Sequence, residues 1–297
     1  MGPELSRMFP AMGIPYPFGL ECLRAIHSAA QRERLDDTGK MVVSYVDELV
    51  RSRGQFETLL RDFRAAEASW TTAAFEKTRS FLPDSCELGE IRYVFLPLGF
   101  DFRTDRRTVY MDPLAAVQYG PDGIRESLSH EFHHVARYRL TGENLSLMAP
   151  EEMRAPHHLP GVFREWASWL ELEGIADCVS NAIQFDLPAL RPAVERRRQQ
   201  MADYGALLER SLARIRGDPG GRSPNPAEMV LLRKELLGLA HPVGARLAEE
   251  ILTDLGRPAL IECVGHPERF LRRYDTVARR RRLVGVDESL LGWLEGQ

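Results

Sequence analysis

Three residues within 127–138, SLSHEFHHVARY, have the types and spacing of a hydrolytic metal site: His130, Glu131 and His134, an HExxH pattern. On a helix, residues four apart lie about 40° apart on one face, so the two imidazoles can converge on one ion. Glu131 is offset from both by roughly 60 to 100°, near enough to reach a water on the metal without taking a coordination position. The chemistry that follows is metal-assisted hydrolysis, with the histidines as ligands and the carboxylate as base.

Catalytic zinc usually takes three protein ligands and keeps a fourth position open, and two histidines with a glutamate are a standard set. The third donor is expected in residues 169–180, WLELEGIADCVS, where Glu173 and Asp177 are four apart and share a helical face. Glu173, 39 residues after His134, fits the ligand position. Asp177, one turn on, fits the carboxylate that accepts the second ring N–H of a ligating histidine. Gly174 and Ala176 are small enough to let this helix approach the first closely. Glu171 is the nearest rival, but it lies about 200° around the same helix, so it and Glu173 cannot both face a metal. His133 could pair with His130 at a spacing of three, which would leave His134 without a role, so it reads as a packing or supporting group. His157 and His158, adjacent in a proline-bearing stretch, read as solvated and not as a third ligand. Zinc hydrolysis also needs a group from the far wall of the cleft to stabilise the tetrahedral oxyanion beside the metal. His241 in HPVG and Tyr274 in RRYDTVA are the candidates.

HExxH followed by a helical ExxxD resembles the gluzincin metallopeptidases, and HEFHH with EGIAD is similar to a group of zinc-dependent protease domains defined by this motif. The resemblance carries motifs over about residues 90–177 and extends more faintly over 241–278. It implies a zincin-like fold, one Zn2+ ion and hydrolysis of a peptide or protein substrate by a metal-activated water. His130, His134 and Glu173 are then the ligands and Glu131 the general base. The rival expectation is an inactive, metal-stabilised binding module that keeps the ligands. Glu131 argues against it, because a structural site has no use for a base there. The metzincin extension is excluded, since Arg137 and Leu140 stand where it requires Gly and His.

These residues need elements to hold them. Pro121, Asp122 and Gly123 supply turn and cap chemistry ahead of the metal helix, and Ile124, Leu128, Phe132 and Val135 give it an apolar stripe away from His130 and His134. Before it, β-rich runs at 91–96 and 108–110, joined by a loop over 99–107, predict a small sheet. The second motif helix is expected over about 160–185. Helical spacing also marks 18–34, 41–53 and 55–81, the last with Leu59, Leu60, Phe63, Ala66 and Trp70 on its core side. An arginine-rich helix over 190–216, a linker at 217–226 and helices over 229–239, 244–255 and 267–282 complete the chain. The basic run 279–282 reads as a solvated face that complements its helix dipole. The expectation is an α+β, mainly α, single domain over 1–297, with a helical part at 1–88, the sheet and metal-site helices at 89–185 and a helical part at 186–297.

The 297 residues, 44% hydrophobic, suffice for a large core, and a net charge of −4 gives no reason to expect nucleic acid or a membrane as partner. Cys22, Cys86, Cys178 and Cys263 are far apart and form no CxxC pair, which suggests neither a disulfide framework nor a thiolate metal site. With no basic start leading into an apolar h-region, and no apolar run of about 18 residues, the expected location is cytoplasmic.

Overall fold

Phe63 is an aromatic anchor of the fold, on helix α1 (Arg53–Arg79) of a computed structural model that describes residues 45, 47–96, 102–143, 158–180, 191–216 and 224–295. Its ring meets Tyr93 and Phe95 edge-on at 5.7 Å, so α1 lies on strand β1 (Arg92–Phe95). Residues 1–17, the helix expected at 18–34, His157 and most of the linker at 217–226 lie outside the described residues.

β1 pairs in parallel with β3 (Thr108–Met111), and β3 pairs antiparallel with β2 (Phe102–Thr104), giving the order β1-β3-β2. The stretch 99–107 was expected to be loop, yet it carries β2. The turn that makes this possible is closed by Asp105, whose carboxylate accepts from the amides of Arg107 and Thr108 at 2.7 and 2.8 Å. A three-residue strand that exists only by pairing leaves too short an alternation to read from sequence.

α2 (Pro113–Thr141) is two helices joined at a kink, and Asp112 caps the first by accepting from the amides of Leu114 and Ala115. The Pro–Asp–Gly cluster starts the second, which carries His130 and His134, as its turn and cap chemistry predicts. Gly120 takes φ 62°, a conformation closed to most side chains, and Pro121 follows without an N–H to continue the ladder. Ile124, Leu128, Phe132 and Val135 are all buried, as their spacing predicts.

α3 (Leu159–Ser180) is the centre of the molecule. Every residue from 170 to 177 is buried, and the helix packs against α2 and against five of the C-terminal helices named below. Those are α4 (Arg191–Ala202), α5 (Tyr204–Arg216), α6 (Pro226–Gly238), α7 (Ala240–Leu255), α8 (Arg257–Ile261), α9 (Pro267–Arg281) and α10 (Glu288–Leu294). The single arginine-rich helix expected over 190–216 is thus two, α4 and α5. Gly174 does permit a close approach, but to α7 and not to α2: a Cβ on Gly174 would lie 2.4 Å from the Gly244 carbonyl oxygen. The run 279–282 is exposed at the end of α9, as expected, and Arg279, Arg280 and Arg281 also pair with Asp275, Asp254 and Glu250. The chain is mainly helical with one small sheet, and no helix among the described residues is long and apolar enough to cross a membrane.

Candidate metal centre

α2 and α3 meet with their polar faces together. α2 brings His130 and His134 on successive turns, and α3 brings Glu173. The Nε2 atoms of the two histidines lie 2.9 Å apart, and Glu173 Oε2 is 3.2 Å from one and 3.3 Å from the other. All three side chains are nearly or wholly withdrawn from solvent. Three donor atoms face one point and could hold a cation there; without one, the two imidazole nitrogens are near enough to share a hydrogen bond. Zinc–ligand bonds of about 2.0 to 2.1 Å in a tetrahedron put donors about 3.3 Å apart, so the triangle fits an ion of that kind with little adjustment. The donor set also suits it, being imidazole and carboxylate with no thiolate. The three remaining described cysteines, Cys86, Cys178 and Cys263, are free.

Asp177 stands one turn beyond Glu173. Its Oδ1 is 3.4 Å from His130 Nδ1, while its Oδ2 is 3.1 Å from Nδ1 of His241. His241 lies in the first turn of α7, a helix expected to start only at 244, and the Gly174–Gly244 contact draws that turn onto α3. Its Nε2 is 3.4 Å from Glu173 Oε2, and its ring stacks on His130 with centroids 5.9 Å apart. His130, Asp177 and His241 form a second cluster whose donor atoms lie within 4.8 Å of one another. Arg197 is paired with Asp177, however, and a fixed guanidinium on that carboxylate opposes a cation there.

The charges are strongly coupled. Burial alone would raise the pKa of Glu173, but His241, His134 and His130 hold it well below the ordinary carboxylate range. Asp177 is likewise lowered, against its burial, by Arg197, His241 and His130. Burial pulls His130 down, yet Asp177 and Glu173 outweigh it and hold its proton well above the usual imidazole range. His134 is lowered, chiefly by burial. A ligand must give up its proton to the metal. Because the folded protein holds the His130 proton more tightly than the unfolded chain does, metal and proton compete over a window that extends above the unperturbed pKa of about 6.5. Apparent metal affinity is therefore expected to fall as pH drops, with the decline beginning above that value. Chelator competition at a series of pH values checks this; an affinity that stays flat until below the ordinary histidine range would show that the His130 proton is not the competitor.

The other histidines go elsewhere. His133 is fully buried outside the triangle, kept neutral by burial and by His134, His130 and Arg137, and neither ring nitrogen has a hydrogen-bond partner among the described residues. His158 accepts the Gly161 amide at 2.9 Å at the start of α3. Tyr274 is not brought to the cluster: it is fully buried in α9, and its hydroxyl donates to the Val284 carbonyl at 2.7 Å. Its helical spacing is that of a core aromatic, and so is its place.

Glu171, the rival to Glu173, points the other way. It is fully buried against Arg137, with Oε2 3.1 Å from Nε, and its Oε1 accepts the Gly265 amide at 2.9 Å. This pair ties α2 to α3 one turn beyond the metal ligands. Glu171→Ala is expected to leave metal stoichiometry unchanged, but to destabilise the fold by about 3 kcal/mol, the low end for breaking a buried pair, since Arg137 keeps Glu143 at 2.8 Å. Denaturant unfolding alongside metal analysis tests both halves.

Glu131 is buried on α2 between the two ligand histidines in sequence and takes no vertex of the triangle. Arg197 is the residue that sequence reasoning missed. It sits in a run of three arginines, 196–198, and nothing in the run marks which one turns inward.

No curated protein and no solved structure matched the chain. One family profile matches residues 18–282, the greater part of the sequence, and the chain belongs to that family, described as "Putative zinc dependent peptidase (DUF5700)".

Proposed function

We propose that the chain is a zinc peptidase in which His130, His134 and Glu173 hold the metal, Glu131 is the general base and His241 meets the oxyanion. The observation that carries this reading is the triangle of three donors from α2 and α3, with His241 beside it and not within it. A fourth protein ligand would close the site; three leave it open for substrate. Bound there, zinc would supply Lewis acidity to a substrate carbonyl and acidify a water. Glu131 takes the proton from the attacking water and passes it to the leaving amine. His241 donates through Nε2 to the oxyanion, and Asp177 on its Nδ1 sets that direction. The ring is suited to meet a ligand from outside, for its side chain is 44% exposed against 1% for Asp177. Burial would lower its pKa, but Glu173 and Asp177 raise it, so the donating proton is retained.

The test begins with metal analysis and continues with a peptide-library assay. About one zinc per chain is expected, with hydrolysis that is lost on chelation and returns with zinc. His241→Ala should keep the metal and lose about 100-fold in kcat, the scale of one oxyanion donor. Zinc-loaded protein that cleaves nothing in a broad library would replace this reading with a metal-stabilised binding module.

A further inference from the structure

Of the three arginines at 196–198 on α4, Arg196 and Arg198 are exposed while Arg197 is turned inward onto Asp177. Asp177 is the junction of the centre. One oxygen is 3.4 Å from His130 Nδ1; the other is 3.1 Å from His241 Nδ1 and is shared with Arg197. Of the two histidine partners, His130 is the one that ligates through Nε2, and it is neutral once it does so. A carboxylate taken out of water needs a counter-charge that persists once the metal is bound. Arginine supplies one, since it does not deprotonate in proteins.

Geometry adds a second reason. The last torsion of an aspartate is broad and weakly restrained, so the plane of its carboxylate is set by what holds its oxygens. With the guanidinium on Oδ2, Oδ1 is directed to His130. We propose that Arg197 is a positioning residue of the metal centre: from α4 it holds the Asp177 carboxylate on α3, so that His130 on α2 and His241 on α7 are oriented together. The inference rests on the reading above of His130 as ligand and His241 as oxyanion donor. It makes α4 a working part of the site, although α4 contributes no group to the donor triangle.

The experiment compares zinc affinity, by chelator competition, and the imidazole ring-nitrogen NMR signals of His130 and His241 in the full-length protein. Arg197→Ala is expected to lose about tenfold in affinity, the low end for an outer partner of a ligand, and to move the signals of both rings. Arg197→Lys should recover part of the loss, since it restores charge but not the planar fork. Arg196→Ala and Arg198→Ala should leave affinity and signals unchanged. In an Asp177→Asn background, Arg197→Ala should add little, because the carboxylate it holds is gone. Unchanged affinity and signals in Arg197→Ala, an equal loss in Arg196→Ala, or a full additional loss in the Asp177→Asn background would each overturn the assignment. Should Arg197→Ala fail to fold, Arg197→Gln provides the same comparison with side-chain bulk retained. None of these readouts needs turnover, so zinc-loaded protein that cleaves no peptide would sink the peptidase reading while Arg197 still stood or fell on its own data.

Discussion

Glu131→Gln is expected to leave zinc in place and slow peptide hydrolysis by about 10² to 10⁴-fold, the usual worth of a general base. The substitution keeps the size of a side chain that is buried on α2, so packing around it is retained. What it removes is the capacity to accept a proton. Glu131 is adjacent to a ligand in sequence and takes no part in the donor triangle, so metal content should not follow its charge. The assay needs wild type and variant at equal, verified zinc loading. Equal rates would remove Glu131 from the chemistry; loss of zinc from the variant would mean that its carboxylate supports the metal instead.

The reach of sequence here follows from what kind of contact each residue makes. His130 with His134, and Glu173 with Asp177, are pairs four apart, and the helical period alone puts each pair on one face. The same period separates Glu171 from Glu173, and the structure sends the first to Arg137 and the second to the histidines. Long-range contacts were less legible. Gly174 is visibly small, but its partner is Gly244, 70 residues away, so the helix that gains closeness is α7 and not α2. β2 exists through pairing with β3 and has no pattern of its own to read. Tyr274 and His241 were alike as candidates in sequence, each a polar-tipped ring in the C-terminal helical part. Only the packing of α7 against α3 brings one to Glu173, while Tyr274 spends its hydroxyl on Val284.

Removing any one of His130, His134 or Glu173 is expected to cost on the order of 10³-fold in zinc affinity, taking about 4 kcal/mol as one ligand's share of a binding free energy of about 10 to 16 kcal/mol. Asp177→Ala should cost less, roughly 10 to 100-fold, because it orients a ligand and does not replace one. Affinity alone does not separate a lost ligand from a damaged fold, since each of these side chains is buried or nearly so. Metal-linked stability does. An ion that binds only the folded chain raises its stability by RT ln(1 + [L]/Kd), about 4 kcal/mol at a thousandfold excess over Kd. Wild type should therefore unfold at a markedly higher temperature with zinc than without. In His130→Ala, His134→Ala and Glu173→Ala that gain should nearly vanish, whereas in Glu171→Ala both forms should unfold earlier with the gain preserved. A full zinc-dependent gain in Glu173→Ala, or its loss in Glu171→Ala, would exchange the two glutamates and move the third ligand to the opposite face of α3.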